Sequence, residues 1–331
     1  MAAAATSTSS PTRTPFKWQM PLLVAIAVWG VSRFLPLVSP LIMALAVGAV
    51  VANTALARAS AIGGCTAGAK FMLRLGVALL GLRLAVSDIT QHGFFGVLLV
   101  ILTVACTFYV TRFVGIRMGL EPEFVSLIAS GFAICGAAAI AAIQDSVRAK
   151  ENLVGLALAL ITLHGTVMLA LIPLLGQAFG LDDDTVALWA GASIHEVAQV
   201  AAAAALIGPG ALAIAMSIKL GRVLMLAPVH HAVSRLHHSG RGSLLREIPW
   251  FLYAFVAAVL LRATGLLPDQ ALTVANHGSS IFLAAGMFGL GLGIVLKDLW
   301  PIPGRAVALS GVATLTVTSV PLLMLLVSEA S

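Results

Sequence analysis

The chain has 331 residues, of which 60% are hydrophobic and only 10% charged, and its formal net charge is +6. Soluble globular proteins carry about 25% charged residues, so this composition excludes a water-facing surface for a chain of this length. The basic residues are scattered among apolar runs and form no patch, which excludes a nucleic-acid-binding surface; loop charge explains the balance better.

The apolar residues form runs long enough to cross a bilayer as helices, which need about 20 residues each. The alternating ten-residue strands of an outer-membrane barrel are absent from the sequence. We therefore predict an all-α polytopic membrane protein with 10 or 11 transmembrane helices. The candidate spans are 21–35, which is short, 37–56, 65–87, 92–113, 123–145, 152–176, 185–207, 210–234, 248–267, 274–296 and 305–328.

The chain divides into a short tail and one membrane domain. Residues 1–20 are rich in Ala, Ser, Thr and Pro, which predicts a disordered cytoplasmic tail. Residues 21–331 are predicted to form a single integral transmembrane transporter domain, because no loop is long enough for a soluble domain.

Loop charge predicts the orientation. A cytoplasmic N-terminus places most loop Lys and Arg residues inside, as the positive-inside rule requires. It also places the acidic run 182–184 in a cytoplasmic loop that has no Lys or Arg, although acidic residues weigh little in the rule. The basic residues left outside are Arg33, Arg148, Lys150 and Arg262.

The segment 191–200 carries His195, Glu196 and Gln199 within an apolar run. A carboxylate at the bilayer centre costs about 2.5–3.5 kcal/mol on insertion scales, and such residues usually line a water-filled path. Glu196 can exchange a proton, His195 changes charge near neutral pH, and Gln199 offers donors and an acceptor. The alternative is a polar cluster that holds helices together. Gln199 stands where a zinc-protease helix has its second histidine, so we expect no metal.

The segment 130–144 is almost free of large side chains around Cys135 and Gly136, and Gly131 and Gly136 weaken a helix. A break there would expose backbone N–H groups at a half-helix N-terminus, where an anion is favoured. Ser130 is the first residue of this segment. The alternative interpretation is close helix packing through small residues.

Five cations lie within candidate spans, against one clearly embedded acid, Glu196. This excess suits an anionic substrate, and we predict that Arg74 and Arg222 hold it. The remaining three are Lys70, Arg83 and Lys219.

Two segments echo each other in sequence. Gly76–Asp88 resembles Gly286–Asp298, and the two lie in spans that cross in opposite directions. Inverted repeats with a site at their interface are a common transporter plan, so we predict inverted repeats. A chance match between Gly- and Leu-rich helices is the alternative.

Several stretches, in order along the chain, resemble the YeiH family of sulfate exporters. The resemblance places the chain in a wider group with bile-acid symporters and cation/proton antiporters, which use two crossed, broken helices at a central site. It implies that the Cys135 and His195 segments are those discontinuous helices. The matching stretches are Leu73–Leu84, Ile134–Ile140, His195–Val200, Lys219–Pro228 and Ile248–Phe251.

Together these features predict a secondary active transporter of the bacterial inner membrane that moves a small inorganic or organic anion, such as sulfate or a sulfonate. Glu196, assisted by His195, would couple protons to transport. A sodium-coupled organic-anion symporter is the alternative; a more distant one is an intramembrane enzyme using Cys135 and His195. We expect no cofactor and no nucleic-acid partner; a homodimer is left open. The predicted site residues are His195, Glu196, Gln199, Cys135, Gly136, Ser130, Arg74 and Arg222.

Overall fold

The computed structural model describes residues 16–32, 34, 40–54, 65–83, 93–208, 210–237, 250–294, 297 and 303–330. These ranges are helical and contain no strand, which confirms the predicted all-α class; the predicted tail lies outside them up to residue 15. The helices are α1 (Phe16–Ser32), α2 (Pro40–Ala52), α3 (Cys65–Leu80, continued by a 3-10 turn Gly81–Arg83), α4 (Gly93–Arg117), α5 (Pro122–Ala133), α6 (Ala137–Val147), α7 (Glu151–Ala178), α8 (Asp183–Ser193), α9 (Val197–Ile207), α10 (Ala211–Leu224), α11 (Leu226–His237), α12 (Trp250–Ala263), α13 (Asp269–Gly291) and α14 (Gly304–Ala330).

Five of the described helical segments are long and apolar enough to cross a membrane by themselves. Shorter apolar helices accompany them; α2 packs on α1 and α13, and α12 packs on α3. The protein is therefore a multi-pass α-helical membrane protein. The five segments are Cys65–Arg83, Gly93–Arg117, Glu151–Ala178, Ala211–His237 and Gly304–Ser328.

Helices α5 and α6 form a hairpin instead of one continuous span. Ser126, near the start of α5, bonds His237, and Ser146, near the end of α6, bonds His230, each at 2.8 Å. In a straight helix the two serines would be about 30 Å apart, whereas two histidines seven residues apart on α11 are only about 10 Å apart. The chain therefore reverses at residues 134–136, and the candidate span 123–145 does not cross the membrane.

The tight packing of this first hairpin (Pro122–Val147) explains its small residues. A Cβ built on Gly131 would lie 2.7 Å from Cγ1 of Ile140, so only glycine lets α5 and α6 approach this closely. Gly136 at the turn has φ 79°, a left-handed conformation that favours glycine. The sequence signal for a break was therefore correct, and the same glycines also permit the reversal.

Helices α8 and α9 form a second hairpin (Asp183–Ile207). A Cβ built on Gly208, just after α9, would lie 2.7 Å from Oδ2 of Asp183 at the start of α8. A straight helix would separate them by about 37 Å. The candidate span 185–207 thus also turns back, at residues 194–196. Asp182 caps α8 by accepting hydrogen bonds from the N–H groups of Thr185 and Asp184, at 3.0 Å each. The bond from Thr185 has the largest effect, and together these bonds lower the pKa of Asp182.

The two hairpins enter from opposite faces. Helix α7 links the end of the first to the start of the second, and its 28 residues are about 42 Å long. We call the face at which α1 begins the N-face. Trp18 of α1 packs on Phe71 of α3, and Arg74 of α3 pairs with Asp145 of α6, so the first hairpin opens at the N-face. The second opens at the opposite face, the C-face.

The hairpins change the charge distribution expected from eleven through-going spans. Residues 148–150 now lie at the N-face with the start of α1, and the acidic run 182–184 lies at the C-face. Both features that fitted the positive-inside rule poorly are removed by the two reversals. Described basic residues at the N-face include Arg117, Arg148, Lys150, Arg235 and Arg305, whereas Arg83 and Arg262 lie towards the C-face.

The helices group into two bundles. The scaffold bundle comprises α1, α2, α3, α12 and α13, and the hairpin bundle comprises α4 to α11 and α14; each helix packs mainly within its own bundle. The main described contact between the bundles joins α3 to α6. Helices α3 and α13 pack antiparallel inside the scaffold bundle, and the first glycine of each echo segment contacts a leucine just before the other segment, Gly76 against Leu283 and Gly286 against Leu73. This reciprocal contact suits an inverted repeat, which stays a prediction.

The hairpin topology reverses the direction of α7 relative to a chain of eleven spans. With the native cysteines replaced, Asn152→Cys should react with a membrane-impermeant maleimide from the side that carries an N-terminal tag, and Gln177→Cys from the other side. Both positions are exposed at the ends of α7. The reverse labelling pattern would restore eleven crossings and contradict the hairpins.

Candidate functional site

The turns of the two hairpins meet inside the protein. We call residues 134–136 the first tip and residues 194–196 the second tip. A Cβ built on Gly136 would lie 2.8 Å from Cγ of Glu196 and 3.3 Å from the carbonyl oxygen of His195. Glycine at this position therefore lets the two tips touch. The segments that the sequence singled out, around Cys135 and around His195, are brought together.

Lys219 of α10 joins the two tips. Its side chain is completely buried, and its ammonium group donates hydrogen bonds to the carbonyl oxygens of Ile134 (2.9 Å), Ile194 (2.8 Å) and His195 (2.5 Å). One cation thus binds carbonyls from both hairpins.

Arg222, one turn further along α10 and also completely buried, extends this arrangement. Its Nε and Nη2 donate to the end of α5, and its Nη1 donates to the end of α8. All its nitrogens are therefore occupied by backbone carbonyls and none is free for a substrate. The accepting carbonyls are Ala133 (3.0 and 3.1 Å), Phe132 (2.9 Å), Ala192 (2.7 Å), Ile194 (3.1 Å) and Gly191 (3.4 Å).

The physical reason for two cations is the set of helix ends that they meet. The last carbonyls of a helix lack partners within the helix and carry roughly half a negative charge. Both α5 and α8 end at the tips, deep in the protein, so both ends need donors. Lys219 and Arg222 supply them. Arg222 is thus at the predicted place, but it binds the chain itself and not an anion.

The opposite helix ends face a cavity. Helix α6 begins at Ala137 and α9 begins at Val197, and both residues line a cavity of about 160 Å³ between the two bundles. Helix N-termini carry unpaired N–H groups and roughly half a positive charge, which favours an anion. The polar lining is Arg83, Cys135, Glu196 and Ser280; the remaining lining is Pro40, Leu41, Leu73, Leu80, Ala137, Ala138, Val197, Ala201, Met216, Leu283 and Met287.

Glu196 is the N-cap of α9 and has 2% of its surface exposed. Its carboxylate is oriented as in a capping box, yet neither oxygen makes a hydrogen bond within the described part of the chain. Gln199 supports the turn: its Oε1 accepts from the Glu196 N–H at 3.3 Å, and its Nε2 donates to Thr166 at 3.5 Å. A buried carboxylate without a partner, beside a cavity, is free to bind a proton or a ligand.

His195 is completely buried and packs edge-on against Phe132, with ring centroids 4.6 Å apart. Its ring nitrogens have no partner among the described residues, so it makes no hydrogen bond to Cys135. The Cys135–His195 pair that the intramembrane enzyme would use is therefore not formed. Ser130 is also buried, and its hydroxyl has no hydrogen-bond partner within the described ranges.

Arg74 is not brought into the cavity. It forms an ion pair of 2.6 Å with Asp145, and both side chains are more than a third exposed. Asp145 follows the first tip by about ten residues, so this pair lies towards the N-face and away from the cavity lining. Arg83, on the same helix as Arg74, is the cation that reaches the cavity.

Arg74 is the scaffold-bundle residue to which the sequence gave a site role, and it does not line the cavity. Ser280 was identifiable only as one of several polar residues near a helix start. Lys219 carried a usable signal, because it precedes Arg222 by three residues and shares its helix face. The described ranges hold no group of three or more His, Cys, Asp or Glu side chains that could bind a metal ion.

The fold and the site define a multi-pass membrane protein in which two helical hairpins meet beside a central cavity. A family model described as Conserved hypothetical protein 698 matches residues 19–310. The chain therefore belongs to this family, whose members are also named UPF0324 membrane proteins.

Three relatives illustrate the match. A UPF0324 membrane protein of Corynebacterium glutamicum is 38% identical over 309 residues, covering 91% of this chain and 90% of the relative. One from Bacillus cereus is 34% identical over 295 residues and covers 86% of each chain. The inner membrane protein YeiH of Escherichia coli is 34% identical over 288 residues, covering 82% and 81%. These names confirm the resemblance to YeiH and state no substrate. No solved structure matches the chain.

The hydrogen bonds of Lys219 to both tips should stabilise the folded protein. Lys219→Met should lower the thermal midpoint of the detergent-solubilised protein strongly, because each buried carbonyl left unpaired costs about 1–3 kcal/mol. The matched control is Lys150→Met, since Lys150 is 70% exposed and surface pairs contribute about 0–1 kcal/mol. Equal midpoints for the two variants would show that Lys219 does not hold the tips together.

Proposed function

We propose that the protein is a secondary active transporter of a small anion, coupled to protons. The observation that carries the proposal is the Glu196 carboxylate, which is buried, lines the cavity at the N-terminus of α9 and has no hydrogen-bond partner among the described residues. Membrane proteins that bury an ionisable group in this way usually use it in a substrate or proton pathway.

The charges at the cavity suggest how proton and anion are coupled. The N-termini of α6 and α9 together contribute about one positive charge, from roughly half a charge each. Ionised Glu196 balances that charge, so it competes with an anion for the same N–H groups. Protonation of Glu196 removes the competing charge. The anion then binds most tightly to the protonated protein, so proton and anion travel together.

The two bundles suggest how access alternates. The cavity reaches Pro40 and Arg83, at the C-face ends of α2 and α3. On the N-face side the Arg74–Asp145 ion pair joins the scaffold bundle to the hairpin bundle. We therefore assign the structure to a state that is closed at the N-face, and the transport cycle requires this pair to break. A sliding or rocking motion between the bundles would expose the tips to the other face.

We also propose that the protein lies in the bacterial inner membrane with its N-face in the cytoplasm. The basic residues of the described loops lie mostly at the N-face, which supports this orientation. The relative from Escherichia coli is named an inner membrane protein.

If Glu196 couples protons to transport, its replacement should abolish the pH dependence of anion uptake. In proteoliposomes, anion uptake by the wild type should rise as the pH falls, because protonation of Glu196 removes a charge that opposes the anion. Uptake or counterflow by Glu196→Gln should be independent of pH and should no longer be driven by a proton gradient.

The control for this experiment is Glu123→Gln, which changes a carboxylate in the first turn of α5, away from the cavity. It should behave like the wild type. Preserved pH dependence in Glu196→Gln would refute the coupling role, and uptake that requires sodium would favour the symporter alternative.

If the Arg74–Asp145 ion pair holds the bundles closed at the N-face, its removal should make the cavity more accessible from that face. Cys135 lines the cavity and is a native probe once Cys65 and Cys106 are replaced. Arg74→Ala should speed the labelling of Cys135 from the N-face by up to about fivefold, the equivalent of the 0–1 kcal/mol of an exposed pair.

Lys150→Ala is the matched control, because its partner Glu121 lies in the same hairpin bundle, at 3.3 Å. Breaking that pair should leave the labelling rate unchanged. Equal effects of the two variants would mean that the Arg74–Asp145 pair does not hold the bundles closed.

A further inference from the structure

The residues that line the cavity indicate the chemical class of the anion more closely than the charged groups alone. The hairpin bundle contributes Cys135, Glu196 and the first turns of α6 and α9 to one side of the cavity. The scaffold bundle contributes mostly leucine and methionine, with Arg83 and Ser280 as its polar members. The apolar wall consists of Leu41, Leu73, Leu80, Leu283 and Met287, with Met216 from α10.

An inorganic tetrahedral dianion fits such a wall poorly. It presents oxygen atoms in every direction, and the oxygens that face leucine and methionine would lose their water without gaining donors. The charges of Lys219 and Arg222 are not directed into the cavity, because both side chains donate to backbone carbonyls. The remaining sources of positive charge are two helix N-termini and Arg83.

We infer that the cargo is an organic monoanion with a compact anionic head and a short apolar tail, such as an alkanesulfonate or alkanecarboxylate. The inference rests on the proposed function and narrows its substrate class. The head would accept from the N–H groups at the starts of α6 and α9. The tail would pack against the leucines and Met287 of the scaffold bundle, and the volume of about 160 Å³ limits its length.

A series of methane-, ethane-, propane- and butanesulfonate, with inorganic sulfate, tests this inference on the purified full-length protein. Binding is measured by calorimetry at the acidic pH at which binding is strongest. Each added CH₂ should tighten binding by about fourfold, the equivalent of about 0.8 kcal/mol, until the cavity is full. Inorganic sulfate should bind more weakly than every alkanesulfonate that fits.

A cavity-filling variant makes the test specific to this wall. Ala201 lines the cavity, and Ala201→Leu should shift the best ligand to a shorter chain while methanesulfonate still binds. The control is Ala205→Leu, one turn along α9, where the side chain is exposed and does not line the cavity. The control should keep the wild-type order of affinities.

Two results would overturn the inference, and they are distinguishable. Affinities that do not depend on chain length, or tightest binding of sulfate, reject the organic cargo but leave the anion transporter intact. Failure of every anion to bind or to be transported rejects the proposed function together with the inference.

Discussion

The structure depends on two buried cations that bind backbone carbonyls. Lys219 and Arg222 lie one turn apart on α10, and their donors are taken by the ends of α5 and α8. Burying such charges is costly unless every donor finds an acceptor. The helix ends supply these acceptors, and in return the cations satisfy carbonyls that lie far from water. Neither hairpin could end in the protein interior without them.

This interaction separates the helix ends by charge. The negative C-termini of α5 and α8 are bound by the cations, whereas the positive N-termini of α6 and α9 remain open to the cavity. Glu196 lies at one of those N-termini with no other partner among the described residues. In the proposed mechanism the carboxylate and a bound anion are thus alternatives at one site, and binding of a proton governs binding of the anion.

The sequence predicted where the helices break, because glycines weaken a helix and polar side chains at mid-span are costly to place in the bilayer. It did not predict that each broken segment turns back, since hydropathy has the same profile for one span and for a hairpin of equal length. The misfit was nevertheless visible: residues 148–150 and 182–184 both lay on faces that suited their charge poorly. Arg74 was predicted to hold the anion, but Arg83, further along the same helix, is the cation that lines the cavity. Composition alone cannot show that Arg74 pairs with Asp145.

The measurement that tests the account most directly is the proton uptake that accompanies anion binding. Purified protein in weakly buffered solution, at a pH where Glu196 is ionised, is mixed with a saturating anion that binds. About one proton should be taken up for each anion bound, because the Glu196 carboxylate must be neutralised before the helix N-termini accept the anion. Anion binding without proton uptake would contradict it.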